Sequence, residues 1–193
     1  MKLSLRGFLC LCLACLTLWL SACSMYGDRK VADRQYLERR KEILTSHRLT
    51  GSEEFTVYAA VIDLDEGTHV SSVACLSDGT ASLYLSTGEA YEQVSLDRPE
   101  IASAVVAFLK GMGEHLDLAT RQARTDLALP SKGQDLLYLL TDKGIYTLTV
   151  IPEYIPESTE AAQEIYALYR AVYDGVCASI PKEDQSISAE TAP

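Results

Sequence analysis

The sequence predicts an α+β domain, in which a mostly antiparallel sheet has its helices packed on one face and the elements follow the order βββ-α-ββ-α. Two turns of hairpin type, Asp78-Gly79 and Asp142-Lys143-Gly144, each join runs of β-forming residues, and hairpins make neighbouring strands antiparallel. The two predicted helices of the domain each carry a single apolar stripe, which suits a helix that covers a sheet. Roughly 125 residues are enough for one domain of two layers.

A charged helix is predicted before this domain, over residues 29 to 46, which contain no Gly or Pro. Its apolar side is narrow and consists of Tyr36, Leu37, Ile43 and Leu44. Because Arg40 lies inside that stripe, we expect residues 23 to 50 to form a charged spacer in front of a domain at residues 51 to 180. The alternative is a docking helix that packs on the domain or on a partner.

Three strands are predicted to follow as a meander. Residues 55 to 64 are rich in β-forming side chains, Glu66-Gly67 supplies a turn, and residues 70 to 76 continue in extended form. Asp78-Gly79 then joins this second strand to residues 81 to 86, because a two-residue hairpin turn needs positive φ at both positions.

The first helix of the domain is predicted to begin at Pro99, which suits a first helical turn, with Asp97 as its cap. Its apolar positions recur at helical spacing and are Ile101, Val105, Phe108, Met112 and Leu116. We expect Gly111 and Gly113 to end or loosen this helix, since a lone Gly-x-Gly is too sparse for phosphate binding.

The second hairpin occupies residues 136 to 150, and a last helix is predicted over residues 158 to 177. The apolar face of that helix consists of Ile165, Leu168, Tyr169, Val172 and Val176. Residues 181 to 193 are polar and free of aromatic side chains, so a disordered tail is expected there.

The N-terminus has the three parts of an export signal. Lys2 and Arg6 give a positive start, residues 8 to 20 are apolar, and Ser21-Ala22 are small residues that suit a cleavage site. A membrane-spanning helix needs about 20 apolar residues, so this shorter run predicts a signal peptide at residues 1 to 22.

The cleavage site carries a resemblance to a known class. Leu20-Ser21-Ala22-Cys23 resembles the lipobox of bacterial lipoprotein precursors, in which the Cys thiol receives a diacylglycerol and becomes the first residue. The resemblance implies that Cys23 is the lipid attachment site, usually acylated on its amine as well, and that covalent lipid holds the protein to a membrane. The alternatives are an ordinary secretory leader cleaved near Ala22 and an uncleaved anchor.

The same resemblance implies a location in the bacterial cell envelope. Ser24 stands where an Asp would favour retention in the inner membrane. The periplasmic face of the outer membrane is therefore expected in a cell with two membranes, and the outer face of the cell membrane otherwise.

Charge argues against one class of function. Residues 23 to 193 hold 15 Lys and Arg against 27 Asp and Glu. Residues 28 to 48 are net positive, with seven basic and four acidic groups, which leaves 8 basic against 23 acidic groups from residue 49 onward. Since phosphate binding rests on Lys and Arg, nucleic acid is not expected as a partner.

Two cysteines remain once the leader and Cys23 are set aside, namely Cys75 and Cys177. They are a candidate disulfide in an oxidising envelope, and the alternative is two separate small residues of the core. Two thiols are too few for a four-cysteine zinc site, and neither a metal nor a cofactor is predicted.

The polar residues supply no recognisable catalytic site. His47, His69 and His115 are not at the i, i+4 spacing of a helical metal pair, and no Gly-x-Ser-x-Gly elbow is present. We expect His115 to be a partly buried core histidine and the protein not to be an enzyme.

An acidic cluster follows the first predicted strand and comprises Asp63, Asp65 and Glu66. Hard cations prefer such oxygen ligands, but the distal positions of an EF-hand loop are missing. A solvated turn is expected instead.

Tyrosine is the one compositional excess, with 11 residues, and Tyr166, Tyr169 and Tyr173 step along the last helix. We expect these rings to flank the core stripe with their hydroxyls in water. They are also a candidate interaction surface, because tyrosine gives large contact area at low entropic cost.

In element order, the domain resembles profilin-like and roadblock/longin-type domains, which are chiefly binding modules. Residues 78 to 86, Phe108-Leu109 and residues 137 to 144 are also similar to a bacterial family without assigned function. The lipobox, the binding-module element order and the absence of a catalytic constellation together predict a non-enzymatic interaction module whose partner is another envelope protein. The alternative is a small-ligand or substrate-binding lipoprotein that serves an envelope transport system.

Overall fold

The computed structural model describes residues 31–45, 55–123 and 127–180. Within these ranges the chain forms one antiparallel sheet of seven strands together with three α-helices. The predicted α+β class is therefore confirmed. The predicted signal peptide, the lipid attachment site Cys23, His47 and the predicted tail lie outside the described residues.

The sheet has the strand order β4-β3-β2-β1-β6-β7-β5. Its strands are β1 (Ala59–Asp65), β2 (Val70–Leu76), β3 (Ala81–Leu85), β4 (Ala90–Tyr91), β5 (Thr120–Arg121), β6 (Asp135–Thr141) and β7 (Gly144–Val150). The five longer strands are those that the sequence predicts, except that β1 begins at Ala59 and not at residue 55. The two-residue strands β4 and β5 are additional, since they are too short to show alternation.

Both predicted hairpins form, but the turn at Asp78-Gly79 is not the expected one with positive φ at both positions, because only its glycine has positive φ. Gly79 and Gly144 have φ of +87° and +116°, in the region that favours glycine. Strand β1 lies at the centre of the sheet, because it pairs with β2 on one side and with β6 on the other. Asp63 is consequently opposite Ser72 on one neighbour and Leu136 on the other.

The helices are α1 (Arg34–Thr45), α2 (Pro99–Glu114) and α3 (Glu160–Ala178), with short 3-10 helices at Leu116–Leu118 and Pro152–Glu157. Helix α2 begins at Pro99 as predicted, but Arg98 occupies its cap position and makes no side-chain capping bond. The expected Asp97 cap is therefore wrong. Helix α3 is capped by Thr159, whose side chain accepts from the Ala162 N–H at 3.3 Å.

Helices α2 and α3 cover one face of the sheet and bury the larger core. Phe108 of α2 and Tyr169 of α3 are fully buried there with strand residues such as Ile62 and Leu137. Gly111 permits close contact between the two helices, since a Cβ at that position would lie 2.6 Å from a methyl carbon of Leu168. Gly111 serves helix packing and lies inside α2, so the expectation that it ends the helix is wrong, whereas Gly113 directly precedes the last helical residue, Glu114.

Helix α1 packs on the opposite face of the sheet. Its residues Tyr36, Arg40 and Leu44 are buried, and Leu44 contacts the second core cluster with Val61 and Tyr138. The spacer interpretation of this segment is therefore wrong, and the packing alternative holds over residues 34 to 45. The domain begins before residue 51, because Arg40 lies in the buried stripe opposite an acidic partner from the sheet.

Candidate binding groove

Three consecutive segments build an apolar groove beside the last long strand. Strand β7 ends at Val150, and Pro152 and Pro156 then favour a tight 3-10 turn, because proline fixes φ and cannot donate to a ladder. The Thr159 cap starts α3 directly afterwards. The end of β7, the 3-10 turn and the start of α3 therefore line one depression.

The groove has a volume of about 310 Å³. Most of its lining is apolar and includes Leu118, Leu148, Val150, Ile155, Ala162 and Ile165. Tyr154 and Leu118 border it with 60% and 37% of their surfaces exposed. Two solvent-exposed large apolar side chains beside one apolar groove are typical of a binding surface.

The surroundings of the groove are acidic. Residues 150 to 169 contain four glutamates and neither Lys nor Arg. Glu153, Glu157 and Glu160 are all exposed on the two segments that line the groove. Exposed carboxylates therefore lie on two of the segments that line the apolar groove, and these three glutamates are called the negative rim below.

Sequence reasoning did not find this groove. The signal it could have used is Pro152-Glu-Tyr-Ile-Pro156, where Tyr154 and Ile155 lie between two prolines and outside any periodic pattern. Leu118 and Leu148 are distant in sequence, so their part in the groove depends on the pairing of β5 with β7.

A second, polar pocket of about 420 Å³ lies between α1 and the sheet. Two of its charged groups already pair with each other, since Arg39 lies 3.8 Å from Glu92, and Arg39 also lies 5.9 Å from the ring centre of Tyr84. A ligand in this pocket would have to displace those contacts.

Beneath α1 lies a buried polar network centred on Asp63, which is fully buried. The Arg40 guanidinium donates from Nε and Nη2 to Asp63 Oδ2 at 2.9 and 2.5 Å, and Ser72 donates to Oδ1 at 2.5 Å. The Tyr36 and Ser72 hydroxyls lie 2.8 Å apart. Burial alone would lower the pKa of Arg40, but the Asp63 carboxylate together with Tyr36 and Tyr138 outweighs burial, so the pKa is raised. This network attaches α1 to the sheet.

Arg40 also contacts the segment before β6. Its Nη1 and Nη2 donate to the carbonyl oxygens of Leu127 and Ala128 at 2.8 and 3.0 Å. Its guanidinium carbon lies 5.0 Å from the ring centre of Tyr138, whose hydroxyl donates to Ala128 at 2.6 Å. Four groups thus surround one buried charge, as the burial of an ion requires.

The three tyrosines of α3 do not form an exposed interaction surface. Tyr169 is fully buried and donates to Asp135 Oδ2 at 2.8 Å, and Tyr173 is buried and donates to Glu66 Oε1 at 2.6 Å. Burial above all, and then the acidic partner, raises the pKa of both tyrosines. Tyr166 is half-buried with its ring edge-on to Tyr169. The proposed interaction surface is therefore wrong for Tyr169 and Tyr173, because their rings fill the core.

The acidic cluster is divided among three partners. Asp63 faces Arg40, Asp65 accepts from the Gly133 N–H at 2.7 Å, and Glu66 accepts from Tyr173. The expected solvated turn is wrong for Asp63, which is buried against α1. Across the described part of the chain, no cluster of three or more His, Cys, Asp or Glu residues is arranged to hold a metal ion.

Cys75, Cys177 and His115 are further candidate site residues within the described ranges. Cys75 and Cys177, which are both in described segments, are not joined by a disulfide. Cys75 is fully buried on β2 and Cys177 is partly buried on α3, and both belong to the core that α2 and α3 cover. Burial raises the pKa of the Cys75 thiol. His115 is partly buried as expected, 3.4 Å from Glu164.

The comparisons with known proteins add no relative. No family model matches the chain, and neither a curated protein nor a solved structure matches it significantly. Among the helices in residues 31–45, 55–123 and 127–180, none has the length and hydrophobicity that a membrane crossing requires.

Proposed function

We propose that this protein is a lipid-anchored protein of the bacterial cell envelope that binds another envelope protein through the apolar groove and is not an enzyme. The observation that carries the proposal is the exposure of Tyr154 and Leu118 on that groove. Exposed apolar surface costs free energy in water, and a partner that covers it recovers that cost. The groove replaces the helix tyrosines as the binding surface.

The anchor rests on the lipobox residues Leu20 to Cys23. Cys23→Ala should abolish the incorporation of labelled palmitate, because no other residue offers a thiol at the cleavage site. The matched control is Cys75→Ala, which should keep the label. Label in the Cys23 variant, or a mature N-terminus at another residue, would contradict the anchor.

The binding surface can be tested with a photoreactive benzoylphenylalanine at Tyr154, introduced in the source cells. We expect irradiation to join the protein to one envelope partner that mass spectrometry identifies. Ala162→Trp should remove this adduct, because Ala162 lines the groove and a bulky ring would fill it. Ala171→Trp is the matched control on the exposed side of the same helix and should leave the adduct intact.

Both tryptophan variants should melt within about 3 °C of the parent, which corresponds to less than about 1 kcal/mol for a domain of this size. If the adduct survives in a folded Ala162→Trp variant, or never forms at Tyr154, the groove is not the binding surface.

Binding of a small ligand is the second candidate, and the polar pocket beside Arg39 is the observation that favours it. A ligand there would replace Glu92 as the partner of Arg39. Ligand-induced stabilisation that Arg39→Ala abolishes and Ala162→Trp leaves unchanged would favour this alternative.

A further inference from the structure

We infer that the groove receives an extended partner segment, which adds as a strand to the outer edge of β7 and carries basic residues on both sides of a large apolar side chain. This inference rests on the proposed function, since it names the partner's chemistry and its mode of binding at the same groove.

The outer edge of β7 is only partly paired. Within the described residues, β5 pairs with Tyr146 and Thr147 of β7, and the Gln122 N–H donates to the Ile145 carbonyl at 2.8 Å. Along a strand, every second residue directs its N–H and C=O toward a given edge. On the outer edge of β7 these residues are Ile145, Thr147 and then Thr149. The next outward N–H and C=O therefore belong to Thr149.

The chain opposite Thr149 has left the sheet. The register that pairs Thr120 with Thr147 would place Leu118 opposite Thr149. Leu118 instead belongs to the 3-10 helix, and its N–H donates to the His115 carbonyl at 3.1 Å. Thr149 is exposed, and its edge position borders the groove. An incoming strand can pair at this position without displacing a strand of the domain.

Strand addition would direct a side chain into the groove. Leu148 and Val150 point to the face of the sheet that α2 and α3 cover, since both belong to that core. Paired residues on antiparallel strands project to the same face. The partner residue opposite Leu148 or Val150 would therefore enter the groove. It would be the sequence neighbour of the partner residue that bonds to Thr149. The apolar lining favours a large apolar side chain at this position.

The negative charge beside the groove determines which residues should flank the apolar anchor of the partner segment. Glu153, Glu157 and Glu160 form the negative rim, and no Lys or Arg occurs between residues 150 and 169. Lys or Arg beside the apolar anchor would complement this rim and speed the encounter. A second copy of this chain is disfavoured, because the rim would meet a domain with 23 acidic and 8 basic groups after residue 48.

The test uses the full protein and capped nine-residue peptides of alternating Thr and Val, with a central Leu and two Lys at each end. A matched peptide has Glu in place of Lys. Two further peptides carry backbone N-methyl groups on alternate residues, so that each removes the N–H groups that would face β7 in one of the two possible strand registers. Affinity is measured by fluorescence anisotropy, and amide hydrogen exchange at Thr149 is followed by NMR.

We expect the Lys peptide to bind at least about tenfold more tightly than the Glu peptide, with the difference shrinking as salt rises. One of the two N-methylated peptides should lose about tenfold or more in affinity, because it lacks the N–H groups that face the edge. The Thr149 amide should exchange at least about tenfold more slowly in the complex. Ala162→Trp should abolish binding, and Ala171→Trp should not.

Three results would overturn the inference: no binding by any of the peptides, equal binding of the Lys and Glu peptides, or tight binding with unchanged exchange at Thr149. Each leaves the proposed function standing if the photo-adduct at Tyr154 still forms and Ala162→Trp removes it. The proposed function is overturned if the adduct never forms in the parent protein or survives in a folded Ala162→Trp variant.

Discussion

Arg40→Ala is expected to destabilise the domain by about 3 to 5 kcal/mol, the cost of removing one partner of a buried ion pair. Asp63 is fully buried, so its carboxylate would lose two donors that water cannot replace. The carbonyls of Leu127 and Ala128 would lose a donor as well. Urea denaturation followed by far-UV circular dichroism measures the change.

Arg39→Ala is the matched control, because this neighbour is partly exposed and its pairing with Glu92 is at the surface. This substitution should lower the free energy of unfolding by less than about 1 kcal/mol. The double variant Arg40→Met with Asp63→Leu should recover much of the loss, since apolar residues of similar volume often replace a buried pair without cost. An Arg40→Ala variant as stable as the Arg39 control would show that the network does not hold α1 on the sheet.

Tyr169→Ala should cost about 3 to 5 kcal/mol, because it removes a fully buried aromatic ring from the core between α3 and the sheet. Tyr169→Phe keeps the ring and removes only the hydroxyl. The smaller change should cost about 1 to 3 kcal/mol, since it leaves the carboxylate of Asp135, itself 5% exposed, without that donor. Thermal and urea unfolding distinguish the two effects.

Tyr154→Ala separates stability from binding. Tyr154 is 60% exposed, so its loss should change the unfolding free energy by less than about 0.5 kcal/mol. If the groove binds as proposed, it should weaken the partner complex. A Tyr169→Ala variant that unfolds like the Tyr154→Ala variant would contradict the core position of Tyr169.

Much of the sheet was predictable because its information is local. Asp78-Gly79 and the turn ending at Gly144 specify hairpins through the conformations that those residues allow, and the structure has both glycines at positive φ. Pro99 likewise marked the start of α2. The groove was not predictable in this way, because Leu118, Leu148 and Ile155 meet only after β5, β7 and α3 are in place.

The sequence by itself determined the antiparallel hairpins, the two helices that cover one face, and the expectation of a lipidated N-terminus at Cys23. The tertiary structure decided which polar residues are buried. Arg40 looked like a break in an apolar stripe, and it is instead buried because Asp63, 23 residues away, lies opposite it. Periodicity already places Tyr169 on the apolar face of the last helix, but only the structure shows that its hydroxyl is buried as well, where Asp135, 34 residues away, accepts its hydrogen bond. Periodicity is a property of one segment, but the free energy of burying a polar group depends on a partner that only the folded chain brings near.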